Sequence, residues 1–164
     1  MSVPAPPLHP RAAELIARLA LEPHVEGGRF RRLHASTQPS ARPPRPAVTS
    51  IHYLLAAGEL SRWHQVDADE IWHFLEGDPL ELLCFDAAHG RLERRRLGPL
   101  SADQTPVIVI EAGRWQAARP LGAYTLTGCT VAPGFDYGGY RLLDAAPAVA
   151  ERLRALAPDL LELA

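Results

Sequence analysis

Two side chains in this sequence have the types and spacing for proton chemistry: His64, in LSRWHQV, and Glu70, in EIWHFLE. Asp67-Ala68-Asp69 separates them and reads as a tight turn between two strands. Side chains alternate along a strand. Arg62, His64 and Val66 therefore share one face, and Glu70, Trp72 and Phe74 share a face of the next strand. A surface mixing imidazole, carboxylate and indole with aliphatics suits neither bulk water nor a dry core, but it suits a pocket wall. In such a wall His64 is a candidate general base, with Glu70 orienting the imidazole and raising its pKa toward neutrality. The competing reading is a structural hydrogen-bonded pair, a common fate of buried ionisable neighbours. Tyr137 or Tyr140, from the C-terminal part of the chain, is a candidate acid or cap.

The elements that must position these groups follow from the rhythm of the chain. Residues 1–10 carry four prolines and read as a loose arm. Leu15, Ile16 and Leu19 fall on one helical face after Pro10, so a short helix is expected from Arg11 to Ala20. Gly27 and Gly28 mark a turn into a strand running from about Arg29 to Ala35. Residues 36–47, with Pro39, Pro43, Pro44 and Pro46, read as a mobile loop between two strands. Beyond it, short apolar runs recur at strand length: VTSIHYLL, LSRWHQV, EIWHFLE, LELLCFD, RLERRRL, VIVIEA, WQAARP and YTLTGCTV. Turn signals separate them, which argues for a β-sandwich or barrel. Residues 147–164 return to helical spacing at Val149, Leu153 and Leu156. The pattern as a whole predicts one all-β domain, a barrel or jelly roll with short helices at both termini.

Composition narrows the chemistry further. All 17 basic side chains are arginine, so Schiff-base catalysis, lysine general bases and a P-loop lysine are excluded. A net charge of −2 gives no reason to expect nucleic acid or a membrane surface as partner. Cys84 and Cys129 sit in apolar stretches and belong to no CxxC pair, which suits two thiols in a reducing compartment. MSVPAPPLHP does not read as a signal peptide, and no apolar stretch approaches the roughly 18 residues that span a bilayer. The expected location is the cytoplasm.

Around the candidate pair the chain resembles the cupin superfamily, whose first motif reads G-x5-H-x-H-x3-E-x6-G. Gly58, His64, Glu70 and Gly77 match it, and Val66 replaces the second His. The second motif, G-x5-P-x-G-x2-H-x3-N, is echoed around Gly113, with Glu111 in place of Pro, Gln116 in place of His and Pro120 in place of Asn. EPHVEGGRFRR, YLLAAGELSRWHQVDADEIWHFLEGDPLEL, VIEAGRWQAARPLG and GCTVAPGFDY are similar to the cupin-5 branch, a domain of unknown function, from about Leu21 to Leu143. The resemblance implies a double-stranded β-helix of RmlC-like jelly-roll type, paired as a homodimer, with Gln116 beside His64 and Glu70. It also implies that Glu26 and the APGFDY segment border the pocket mouth. Trp63 and Trp115 face away from the motif side chains and are expected in packing or an interface.

Metal-dependent cupins supply three His and one Glu. Here one His and one Glu remain, and a neutral amide is a weak ligand for first-row divalent ions. That count favours a metal-free pocket; if a divalent transition metal is bound, its ligands are His64, Glu70 and Gln116. Arg62 shares the parity of His64, and Arg114 that of Gln116, so these, with Arg31, are candidates to clamp an anionic ligand. Arginines at strand ends more often extend to solvent. The Arg94-Arg95-Arg96 run reads as a solvated hairpin edge. Three functions stay open. The first is metal-free acid–base chemistry, epimerase- or isomerase-like, on a small polar or sugar-derived substrate bound by Gln116, Trp72 and the arginines. The second is a metal-dependent oxygenase or isomerase. The third is a non-catalytic ligand-binding or scaffold dimer.

Overall fold

The computed structural model describes residues 7–164, so most of the expected N-terminal arm lies outside the described residues. Proline at the first helical position opens helix α1 (Pro10–Arg18), where its missing N–H costs nothing. Ala12 and Leu15 on its buried face pack against Leu54, Ala56, Tyr124 and Leu126.

The strands are β1 (Glu22–Pro23), β2 (Arg29–Ala35), β3 (Thr49–Ala56), β4 (Ser61–Val66), β5 (Asp69–Gly77) and β6 (Leu80–Asp86). They continue with β7 (Arg91–Leu97), β8 (Val107–Ile110), β9 (Trp115–Pro120), β10 (Tyr124–Ala132) and β11 (Tyr140–Leu142). They form two antiparallel sheets, in the orders β1-β2-β3-β10-β5-β8 and β11-β4-β9-β6-β7. This is a jelly roll, as the short-run rhythm of the sequence predicts. Between the sheets, Tyr53, Leu55, Trp72 and Ile108 from the first meet Leu80, Leu82, Leu97 and Ala118 from the second.

The outer face of the five-stranded sheet is covered by helix α2 (Pro147–Leu156) and the 3-10 segment Pro158–Leu163. Trp63, Leu83, Phe85 and Trp115 are fully buried there against Leu153, Leu160 and Leu163. The indole N–H of Trp63 donates to the Leu160 carbonyl at 2.9 Å. Both tryptophans thus pack outward, on the side opposite His64 and Gln116. The outer face of the six-stranded sheet keeps Leu75, Val107 and Val109 exposed.

One irregularity decides what faces inward. Ser61 pairs with Ala118 and His64 with Gln116, so β4 takes three steps where β9 takes two. The extra residue is a bulge. It lets Ser61 and His64 both point between the sheets, and it leaves Arg62 in the irregular stretch.

The Pro-rich segment 36–47 is tied down rather than loose. Pro39 and Pro46 form a β-bridge, and the guanidinium of Arg45, 7% exposed, donates to the Gly134 carbonyl and pairs with Asp67 at 2.8 Å.

Candidate functional site

A cavity of about 40 Å³ opens between the sheets, and its wall includes Glu26, Glu70 and His24. Four elements supply the polar groups in and just behind its wall. The turn between β1 and β2 carries His24 and Glu26. Gly27, at φ 109°, makes that turn feasible, because a side chain there would collide with the Leu60 carbonyl. Strand β5 brings Glu70 and Trp72, and strands β4 and β9 bring His64 and Gln116 as a directly opposed pair.

Hydrogen bonds fix the orientation of Gln116. The indole N–H of Trp72 can only donate, so the side-chain carbonyl of Gln116 faces it, at 3.0 Å. The amide nitrogen of Gln116 then donates to Oε2 of Glu70 at 2.6 Å. Trp72, Gln116 and Glu70 form one buried chain of hydrogen bonds.

The second group centres on Glu26. Nδ1 of His64 lies 2.7 Å from the Arg62 carbonyl, an acceptor, so Nδ1 carries a proton and the neutral ring keeps its lone pair on Nε2. That Nε2 lies 3.4 Å from Oε2 of Glu26. On the other side, Nδ1 of His24 accepts the backbone N–H of Glu26 at 3.3 Å, so its lone pair also points into the turn, 3.6 Å from the same Oε2. Oε1 of Glu26 accepts from the Ser61 hydroxyl at 3.0 Å. Oε2 of Glu26 thus lies 3.4 Å from the free lone pair of His64 Nε2 and 3.6 Å from His24 Nδ1, whose own lone pair already accepts the Glu26 N–H. A proton on the carboxyl turns the His64 contact from repulsive to attractive.

Burial pushes in the same direction. It raises the carboxyl of Glu26 above its ordinary range, against the pull of His24 and Ser61. It lowers His64, although Glu70 and the Arg62 carbonyl favour the charged ring. The expectation that Glu70 would bring His64 up to neutrality gives way because desolvation outweighs the neighbouring carboxylate. His24 is lowered by burial as well. Glu70 is pushed up to about 7 by burial, with Glu26 adding to the shift and His64 and Gln116 opposing it.

The other candidates divide. Glu26, Trp72, Gln116, His64 and Glu70 come together between the sheets. Tyr137 stands at the cavity mouth, 63% exposed, its ring 5.0 Å from that of Phe135. Tyr140 lies deeper, with its ring 5.6 Å from that of His64 and its hydroxyl buried, with no hydrogen-bond partner among the described residues. Arg62 turns sideways at the bulge and donates to the Val25 carbonyl at 3.1 Å, 4.0 Å from Asp144. Arg114 pairs with Asp86 and Glu111, in a separate charged cleft that also contains Cys84. Arg31 is exposed on the face of β2 that turns away from the cavity, and Arg32 lines the cavity in its place. His24, Ser61 and Arg32 are the residues that sequence reasoning missed. The alternation of EPHVEGG places His24 on the side of Glu26, a usable signal, whereas Ser61 is hidden by the bulge.

A profile described as Cupin superfamily (DUF985) matches residues 13–143, most of the chain. The chain belongs to the cupin superfamily. Among solved cupin-fold structures, protein SO0799 from Shewanella oneidensis is 32% identical, with a TM-score of 0.80 over 91% of this chain and 96% of that one. A hypothetical protein from Leishmania major is 25% identical, with a TM-score of 0.77 over 93% of this chain and 95% of that one. A variant of oxalate decarboxylase from B. subtilis, 14% identical with a TM-score of 0.57 over 74% of this chain and 29% of that one, shares the fold alone. Nothing matches among curated proteins.

For a cupin, the metal question turns on the donor set. The one atom of Gln116 able to ligate a cation, its carbonyl oxygen, already accepts from the Trp72 indole, and the amide N–H group faces Glu70. Val66, at the fourth motif position, is buried among Ala68 and Val131. The motif positions alone, with one imidazole, one carboxylate, an amide and a valine, are a poor donor set for a first-row divalent ion. Among the described residues, no three His, Cys, Asp or Glu side chains are grouped as metal ligands.

Proposed function

We propose that this cupin performs metal-free proton transfer on a small polar or sugar-derived molecule, in the manner of an isomerase or epimerase. The observation that carries this reading is Oε2 of Glu26 standing 3.4 Å from the free lone pair of His64 Nε2. Burial raises the pKa of this carboxyl and lowers that of the imidazole, which brings the two groups closer in basicity and favours proton transfer between them. Glu70, with its pKa near 7, supplies a second carboxyl that is partly ionised in the same range.

The corresponding step begins when the ionised Glu70 removes a proton from a carbon next to a carbonyl. The electron pair of that C–H bond moves onto the carbonyl oxygen, giving an enolate. The proton held between Glu26 and His64 neutralises that oxygen, giving an enediol. Glu70 then delivers its proton to the former carbonyl carbon while the hydroxyl on the other carbon gives its proton back to the Glu26–His64 pair, so a new carbonyl forms there and every group returns to its starting state. Gln116 holds Glu70 in place, and Trp72 holds Gln116. The reaction is assigned to the cytoplasm, where the free thiols of Cys84 and Cys129 would stay reduced.

The test is incubation with glucose, mannose, glucuronate and galacturonate in D2O, with NMR reading deuterium uptake at the carbon beside the carbonyl. Uptake into at least one compound is expected, falling on the order of 100-fold or more in Glu26→Gln. If a compound binds in the cavity and takes up no deuterium, the acid–base reading is wrong and the protein is a binding module.

A further inference from the structure

The cavity has two chemically different ends. Inward are the buried carboxyl groups of Glu26 and Glu70. Toward the solvent the wall is made by Phe30, Phe135, Tyr137 and Arg32. Phe30 and Arg32 are two residues apart on β2, so strand alternation turns both toward the cavity. The guanidinium of Arg32 has no carboxylate within ion-pair distance among the described residues. Arg29, three residues earlier on the same strand, holds Glu59 at 2.5 Å. Arg32 is an exposed cation at the rim of the cavity, in a wall shared with aromatic side chains, with its ion-pairing capacity free.

We propose that the cavity binds small carboxylic acids, the carboxylate pairing with Arg32 and a hydroxyl or carbonyl at the far end meeting Glu70. A planar guanidinium fork matches a carboxylate through two parallel hydrogen bonds. A phosphate dianion calls for more, either a second cation or a nest of backbone N–H groups, and among the described residues Arg32 is the one arginine in this wall, while burial disfavours the charged form of His24. Phe30 and Phe135 in the wall suit the apolar body of such an acid. The inward carboxyl groups repel a second anion, so the acid carries one negative charge, at its outer end. This rests on the acid–base reading only for the role of Glu70; the anion contact stands on Arg32 alone.

The test uses the full 15N-labelled chain, titrated with lactate, benzoate and mandelate and with the primary amide of each. The indole N–H resonance of Trp72 reports occupancy of the inner end. At least one acid should bind tenfold or more tightly than its amide. Arg32→Gln should bring each acid and its amide within twofold, and Arg31→Gln, on the opposite face of the same strand, should keep the preference. The proposal is overturned if no acid moves the Trp72 resonance, if acid and amide bind alike, or if Arg32→Gln retains the preference. It is equally overturned if phenyl phosphate binds more tightly than every acid. Binding is read without turnover, so failure here is separate from failure of deuterium exchange.

Discussion

Nε2 of His64 lies 3.4 Å from Oε2 of Glu26, while Nδ1 of the same ring is held by the Arg62 carbonyl. The backbone contact fixes the tautomer, so the ring presents a lone pair to the carboxyl. In 15N spectra His64 should remain the neutral Nδ1–H form and should titrate below the ordinary imidazole range, because burial opposes its charging. A titration like that of a free surface imidazole would end the acid–base assignment.

Glu70 gives a stability prediction with a definite sign. Its carboxyl is raised by burial to about 7, above the 4.5 of an unhindered Glu. A raised acid binds its proton more tightly in the folded protein, so this contribution to stability is full below pH 4.5 and is lost as pH rises through 7. The loss is on the order of 3 kcal/mol. Glu70→Gln keeps the size and an acceptor for Gln116, and should flatten the fall in urea-unfolding free energy across that window. An unchanged slope in the variant would show that Glu70 is not the group responsible.

Metal binding should follow the donor set. The purified protein should carry well under one equivalent of Mn, Fe, Ni or Zn. Val66→His with Gln116→His restores the imidazole count and frees the site from its amide, so it should bind one equivalent of Ni or Zn. Both can be read by elemental analysis after dialysis. A stoichiometric metal in the unmodified protein would favour a metal-dependent enzyme.

The C-terminal segment is expected to act as packing. Leu160 is fully buried beneath Trp63, Leu83 and Phe85, and its carbonyl holds the Trp63 indole. Leu160→Ala should cost about 2–5 kcal/mol in unfolding experiments. Ligand-induced shifts at Trp72 should persist in the folded fraction, because the cavity lies on the other side of the sheet.

The homodimer implied by the cupin resemblance would use the outer face of the six-stranded sheet. Leu75, Val107 and Val109 stand exposed there, each between 45% and 47%. Light scattering should give twice the mass of the 17.9 kDa chain, and Val109→Glu should bring it toward one copy. A monomer at all concentrations would rule out that pairing.

Much of this arrangement was readable beforehand, for a physical reason. A strand periodicity of two needs only an unbroken ladder, and β5 runs unbroken where Glu70 and Trp72 stand, so their shared face followed from spacing. Along β4 the same rule failed for Arg62, because the bulge near Ser61 rotates the chain by one extra residue, and no residue type there announces it. The choice between Arg31 and Arg32 could have been settled from Phe30, the apolar residue that marks the inner face of β2. His24 was legible in part: alternation sets it beside Glu26, but not that its Nδ1 would accept the Glu26 N–H. The orientation of Gln116, finally, depends on a partner 44 positions away in sequence, which spacing cannot supply.

Arg45 links two stretches of chain that never meet the buried carboxyl groups. It joins the Pro-rich segment to the Gly134 carbonyl, one residue before Phe135, and to Asp67, whose own N–H donates to Gly139. Substitutions between Pro39 and Pro46 would therefore be felt at the doorway while leaving the proton-handling groups untouched. The shape of that doorway can, by this route, be altered from a distance in sequence without touching a single side chain that lines the inner end.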